Sequence, residues 1–173
     1  IGSVQELLIL LSKEEYKYPN FLEYYQREKN NNNNQRHGRG TYNYESGAIY
    51  IGEWQNNKFH GTGTYIYPTG AIYKGSYHNN QKDGEGVYIY PNGAIYRGSY
   101  TAGKKNGIGH YTYIDGSIYE GHFKNEQRHG YGTYTTLLGE VYEGNYDHDE
   151  KHGFGKLTLL HQYEYLGNFK YGM

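Results

Sequence analysis

The chain has 173 residues, 26 of them Gly and 25 Tyr, with few aliphatics, a composition that argues against one conventional three-dimensional core. Its 17 basic and 18 acidic residues nearly cancel, and from Arg36 onward there are 13 of each, so nothing favours a polyanion such as nucleic acid. With no cysteine and no 18-residue apolar run, a disulfide framework, a thiolate metal site and a helical membrane span are excluded, and a soluble cytoplasmic chain is expected.

In chain order, Ser3 and Glu6 have capping-box spacing, and Val4, Leu7, Leu8 and Leu11 form a helical stripe that predicts a helix to about Lys17, ended by Pro19. A second box, Asn20 to Glu23, opens about two more helical turns in which Phe21, Leu22 and Tyr25 share a face. Neither helix is stable alone. Residues 1–29 are therefore expected to cap the first hairpins near Tyr42, Tyr44 and Trp54 through Leu7, Leu8, Leu11, Phe21 and Tyr25, or to bind a partner or self-associate through the same leucines. Residues 30–35, with the asparagine run Asn30 to Asn34, read as a linker.

From residue 36 to 173 the chain is an array. G-x-G recurs six times at a constant interval, at Gly38/Gly40, Gly61/Gly63, Gly84/Gly86, Gly107/Gly109, Gly130/Gly132 and Gly153/Gly155. Between the glycine pairs lie two aromatic-rich stretches and a turn, hence one β-hairpin per unit. In the unit Gly84 to Tyr100, the loop Pro91-Asn92-Gly93 sets a register with Tyr90 opposite Ala94, Tyr88 opposite Tyr96, Gly86 opposite Gly98 and Gly84 opposite Tyr100. Alternation then puts tyrosines and glycines on one face, and Val87, Ile89, Ile95, Arg97 and Ser99 on the other. Turns are predicted at Glu45 to Gly47, Pro68 to Gly70, Pro91 to Gly93 and Asp115 to Gly116. Rings are expected to stack between hairpins, and the hairpins to add up to an elongated, single-layer, twisted antiparallel sheet, an all-β repeat array preceded by a short helical segment. The last unit breaks off at Tyr171-Gly172-Met173, which suggests part of something longer.

The segment Tyr50 to Gly70, YIGEWQNNKFHGTGTYIYPTG, resembles the MORN repeat, the membrane occupation and recognition nexus family. Its Y-x-G element recurs at Tyr50-Gly52, Tyr73-Gly75, Tyr96-Gly98, Tyr119-Gly121, Tyr142-Gly144 and Tyr165-Gly167. Gln162 departs from the turn glycine, Asp83 and Asn106 from the corner histidine, and Leu157 and Leu159 from ring positions. The resemblance implies a scaffold, since such arrays serve at membrane junctions, the cell cortex, basal complexes and ciliary spokes, or as modules attached to lipid kinases and lysine methyltransferases.

Three surfaces are candidates. The corner histidines His37, His60, His129 and His152 suggest metal, but equivalent residues of adjacent units lie about 10 Å apart, too far to share one ion, so a bond to corner backbone is expected instead. No catalytic constellation emerges, and neither an enzyme activity nor a cofactor or small-molecule substrate is expected. Arg36, Lys82, Lys105, Arg128 and Lys151 precede the corners, with Phe59 as the exception, and are expected to form a basic row along one edge for acidic lipid or an acidic partner. Trp54, Tyr73, Tyr77, Tyr96, Tyr100, Tyr119, Phe123 and Tyr146 are expected to form an aromatic strip for a partner peptide or helix. The function expected is a non-enzymatic interaction scaffold in a cytoskeletal, ciliary or cortical assembly. The alternative is a module that targets a larger enzyme, such as a lipid kinase, to phosphoinositide or acidic membrane.

Overall fold

In the computed structural model the described residues are 35–159 and 163–170. The two expected helices, with Leu7, Leu8, Leu11, Phe21 and Tyr25, the asparagine linker up to Asn34, and Gln162 lie outside them. Twelve strands follow one another: β1 (Gly38–Asn43), β2 (Ile49–Gln55), β3 (Lys58–Ile66), β4 (Ile72–His78), β5 (Gln81–Ile89), β6 (Ile95–Thr101), β7 (Lys104–Thr112), β8 (Ile118–Lys124), β9 (Gln127–Thr135), β10 (Val141–Asp147), β11 (Glu150–Leu159) and β12 (Tyr163–Phe169). Among the described residues they form a single open antiparallel sheet in sequence order, with β1 and β12 at its edges. At about 4.8 Å per step the sheet spans roughly 50 Å across its strands.

The four turns predicted within repeats are present. Tyr90 N–H donates to the Ala94 carbonyl and Gly93 N–H to the Tyr90 carbonyl, both at 2.9 Å. The register follows, with Tyr88 opposite Tyr96, Gly86 opposite Gly98 and Gly84 opposite Tyr100. Corresponding turns close at Gly47, Gly70 and Gly116. The connections between repeats are two-residue turns with both residues at positive φ, as in Asn56 (51°) and Asn57 (65°), the backbone that type I′ hairpins require.

Each repeat also has a bulge at its corner. Gly52 faces Gly63 while Glu53 faces His60, leaving Gly61 and Thr62 over, and Gly61 takes φ +59°. The bulge frees a carbonyl from the ladder, and the Y-x-G tyrosine uses it. Tyr50 Oη donates to the Glu53 carbonyl at 2.8 Å, Tyr73 to Ser76 at 3.1 Å, Tyr96 to Ser99 at 3.1 Å, Tyr119 to His122 at 3.0 Å and Tyr142 to Asn145 at 3.0 Å. To reach it the ring lies flat across two opposed glycines. A Cβ on Gly86 would stand 2.6 Å from Tyr73 Cε2 and Cζ. The glycines of the motif are therefore room for a ring.

A ring pressed flat on the backbone offers its edge sideways, so the core is a herringbone and not the stack expected from sequence. Tyr73 meets Tyr77 of its own strand at 5.1 Å and 83°, and Tyr100 of the next repeat at 5.2 Å and 86°. Tyr96 meets Phe123 at 5.0 Å and 84°, and Tyr119 meets Tyr146 at 5.1 Å and 82°. These are the edge-to-face arrangements that ring quadrupoles favour. The parallel pair Tyr50 and Phe59, at 3.8 Å and 16°, occurs where Phe59 replaces the basic residue. On the reverse face Ile66, Ile72 and Ile89 pack with Ile49, Val87 and Ile95 across β2 to β6.

Candidate functional site

The eight rings expected to receive a partner are covered. Trp54, Tyr73, Tyr77, Tyr96, Tyr100, Tyr119, Phe123 and Tyr146 are between 0 and 6% exposed and constitute the core, so the expectation of an open strip at these positions is corrected. The reason is local: Tyr73, Tyr96 and Tyr119 lie flat on paired glycines, and the other rings pack edge-to-face against such flat tyrosines. Burial pushes the hydroxyls of Tyr73, Tyr77, Tyr96, Tyr100, Tyr119 and Tyr146 well above the ordinary tyrosine range. The hydroxyls of Tyr77, Tyr100 and Tyr146 are moreover buried without a hydrogen-bond partner.

Above this core runs a second row that sequence reasoning did not single out. Tyr42 and Tyr44 lie 4.7 Å apart, Tyr44 and Tyr65 6.1 Å, Tyr65 and Tyr67 4.6 Å, and Tyr67 and Tyr88 5.8 Å. The row continues from Tyr88 to Tyr90 (4.6 Å), Tyr111 (5.7 Å), Tyr113 (4.5 Å) and Tyr134 (5.7 Å). From Tyr44 on, every ring is half-buried. The signal was present in the Tyr-x-Tyr pairs, since residues two apart on a strand share a face, but it looks the same as the signal of the buried row. Burial raises the Tyr67 and Tyr90 hydroxyls to about 12.

The five cations are not an open edge row either. They fold over the rings: Arg36 Cζ stands 4.1 Å from the centre of Tyr42, Lys105 Nζ 5.2 Å from Tyr96 and Tyr111, Arg128 Cζ 5.0 Å from Tyr146, and Lys151 Nζ 4.7 Å from Tyr142. Lys82 Nζ has four tyrosines around it, Tyr88 at 4.3 Å, Tyr73 at 4.9 Å, Tyr100 at 5.4 Å and Tyr67 at 5.7 Å. Burial pulls this ammonium down to about 8. Methylene stems on apolar rings with a cation against the π faces are a more favourable resting place than open water for a residue beside a wall of tyrosines.

The between-repeat turns stitch each repeat to the one before. The second turn residue donates its N–H to the carbonyl of the residue 21 positions earlier, and its side chain accepts that residue's N–H in return. Asn57 does so with Arg36 (3.0 and 2.8 Å), Asn80 with Phe59 (3.1 and 2.7 Å), Glu126 with Lys105 (3.0 and 2.6 Å) and Asp149 with Arg128 (3.1 and 2.8 Å). Glu126 Oε2 also lies 3.5 Å from Lys105 Nζ, and Asp149 Oδ1 3.3 Å from Arg128 Nε. At Gly103 the backbone bond to Lys82 is kept, at 2.8 Å, but the side chain is missing.

Of the corner histidines, His129 Nδ1 lies 3.3 Å from Asp147 Oδ1, and His60 Nδ1 is buried without a partner. Among the described residues no three His, Cys, Asp or Glu side chains come together as metal ligands would, and no helix is long and apolar enough to cross a membrane. The reverse face carries Ile108, Tyr131 and Phe154 at the middle of successive G-x-G corners, 64, 58 and 56% exposed.

The MORN repeat family model matches residues 32–49, 50–72, 73–95, 96–118, 119–136 and 142–159. The comparison with curated proteins gave no match. Among solved structures, the TCP domain of SAS-4 (dCPAP) of Drosophila melanogaster, in complex with a proline-rich motif of Ana2 (dSTIL), is 14% identical with a TM-score of 0.49, over 76% of this chain and 73% of that one. The TCP10 domain of CPAP of Danio rerio, in complex with a STIL peptide, is 13% identical with a TM-score of 0.35, over 75% of this chain and 73% of that one. With both TM-scores below 0.5, neither likeness bears on function.

Proposed function

The chain belongs to the MORN repeat family, and from that premise we propose that it is a non-enzymatic scaffold that holds a protein partner along the half-buried tyrosine row, in a cytoskeletal, ciliary or cortical assembly in the cytoplasm. One observation supports this above all: the continuity of the row from Tyr42 to Tyr134 with steps of 4.5 to 6.1 Å. Rigid amphipathic rings, half out of water and held by a core beneath, give contact area at small entropic cost, and their hydroxyls can bond peptide groups. A row that crosses several repeats suits an extended or helical segment.

Photo-crosslinking tests the reading. With p-benzoylphenylalanine in place of Tyr88 or Tyr111, a protein crosslink is expected from cells, and with the same group in place of Ile108 or Tyr131 on the reverse face it is not. Crosslinks confined to the reverse face would overturn the proposal. The membrane-targeting reading is weaker because its cations are folded onto rings. Pelleting with phosphoinositide vesicles that is lost in Lys105→Met and Arg128→Met would favour it over ours.

A further inference from the structure

In four of the five between-repeat turns described above, the side chain at the second position completes a reciprocal pair of bonds with a residue of the preceding repeat. In two of them, Glu126 and Asp149, it is a carboxylate that meets the side-chain cation as well as the backbone N–H. Lys82 has the same position in its own repeat, with Gly103 where a carboxylate would stand. Residue 103 therefore supplies neither an acceptor for Lys82 N–H nor a counterion for its ammonium. Lys82 has no ion pair among the described residues, and it is half-buried, whereas Lys105, with Glu126 over it, is buried. A shallow cleft lies at this place, lined by Tyr67, Tyr77, Asn80, Lys82 and Gly103, and it runs from the tyrosine row to the turn.

We propose that the cleft at Lys82 and Gly103 binds a carboxylate side chain of the partner, which supplies in trans what Glu126 and Asp149 supply within the chain. This deepens the scaffold reading and rests on it: the row gives area, and this one slot fixes the register of the bound segment. The carboxylate accepts Lys82 N–H with one oxygen and faces the ammonium with the other, as Glu126 does at 2.6 and 3.5 Å. The charges nearby favour a single negative charge over a phosphate. Lys82 is one cation, its charge is weakened by burial, and Glu126 acts on it from the next repeat. Asp83 is adjacent in sequence and its Oδ2 lies 3.4 Å from the Ala102 N–H. Lys105 also acts on this ammonium, but it is paired with Glu126, so a dianion would meet Asp83 and Glu126 with only the Lys82 charge unpaired to balance it.

The slot can also be closed from within. A Cβ on Gly103 meets nothing within 4 Å, and its φ of +84° is close to the 78° that Glu126 adopts. Gly103→Glu should then occupy the slot as Glu126 does.

The test uses the full chain with 13C-labelled lysine side chains, the Lys82 signal being assigned by its loss in Lys82→Met. The probes are a blocked tripeptide with glutamate between two leucines, its glutamine counterpart, and inorganic phosphate. The glutamate peptide is expected to shift the Lys82 signal saturably and the glutamine peptide to leave it in place. Gly103→Glu should weaken the glutamate peptide about tenfold without lowering the melting temperature. Equal binding of the glutamine peptide, tighter binding of phosphate, or unchanged affinity in Gly103→Glu would each overturn the proposal. Should Gly103→Glu melt early, Lys82→Met decides, since glutamate-peptide binding to it at full affinity, read from peptide signals, overturns the slot. The two readings fail separately: crosslinks from Tyr88 with an indifferent Lys82 leave the row and remove the slot, and a responsive Lys82 without crosslinks does the reverse.

Discussion

The two faces of this sheet are made by alternate residues of the same strands, yet they obey different rules. On the ring face nearly every side chain has a fixed counterpart in the next repeat: a flat tyrosine on paired glycines, a second ring at right angles, a cation above. On the reverse face the corresponding corner positions hold Arg39, Thr62 and Glu85 in the first repeats and Ile108, Tyr131 and Phe154 in the later ones. The difference shows where the repeat resists change. The interlocking rings run the length of the ring face, whereas the reverse face packs the isoleucine cluster of β2 to β6 and leaves its corner positions free of packing constraint.

The contrast can be broken most severely at the paired glycines. Gly86→Ala should cost about 3 kcal/mol in urea unfolding, since its methyl would have to displace the Tyr73 ring that joins two repeats. A milder pair of changes tests the hydroxyls. Tyr96→Phe loses its bond to the Ser99 carbonyl and should cost about 1 kcal/mol, whereas Tyr100→Phe removes a buried, unpaired hydroxyl and should be neutral or slightly stabilising. Equal losses from both would show that the herringbone does not distinguish its two ring types.

The ring face should also give the protein an unusual alkaline profile. Lys82, with Tyr67, Tyr73, Tyr88 and Tyr100 about it and Glu126 and Lys105 as the nearest charges, is pulled down to about 8, against about 10.4 when unfolded. Between those values the unfolded chain binds more protons, so the stability of the wild type relative to Lys82→Met should rise with pH from about 8 to about 10. Tyr67 and Tyr90, raised to about 12, act in the opposite sense: above about pH 10 the native chain binds more protons, and stability should fall as pH rises through that range. Chemical unfolding at a series of pH values, with tyrosinate absorbance followed alongside, checks both limbs. A flat difference between wild type and Lys82→Met would remove the lysine effect.

The smallest effect belongs to the reverse face. Replacing Ile108, Tyr131 and Phe154 together by serine should change stability by less than about 0.5 kcal/mol per site, because all three are more than half exposed. A larger loss in urea unfolding would mean that these corner positions are packed after all.

What the sequence determined by itself was the period, the hairpin, its register and the family. The Pro91-Asn92-Gly93 loop dictates which residues oppose which, and two-residue alternation then assigns faces, because both are rules about neighbours on the chain. The same rules could not tell Tyr73 from Tyr67, or an edge cation from one lying on rings. Those outcomes depend on residues about 15 to 27 positions apart, such as Tyr73 with Tyr100, Lys82 with Tyr67 and Gly103, and on a corner bulge that frees one carbonyl to draw a ring flat. Only the tertiary structure, in which successive repeats are laid side by side at a fixed offset, decides which ring is core, which is surface, and which cation lies over rings with no ion pair among the described residues.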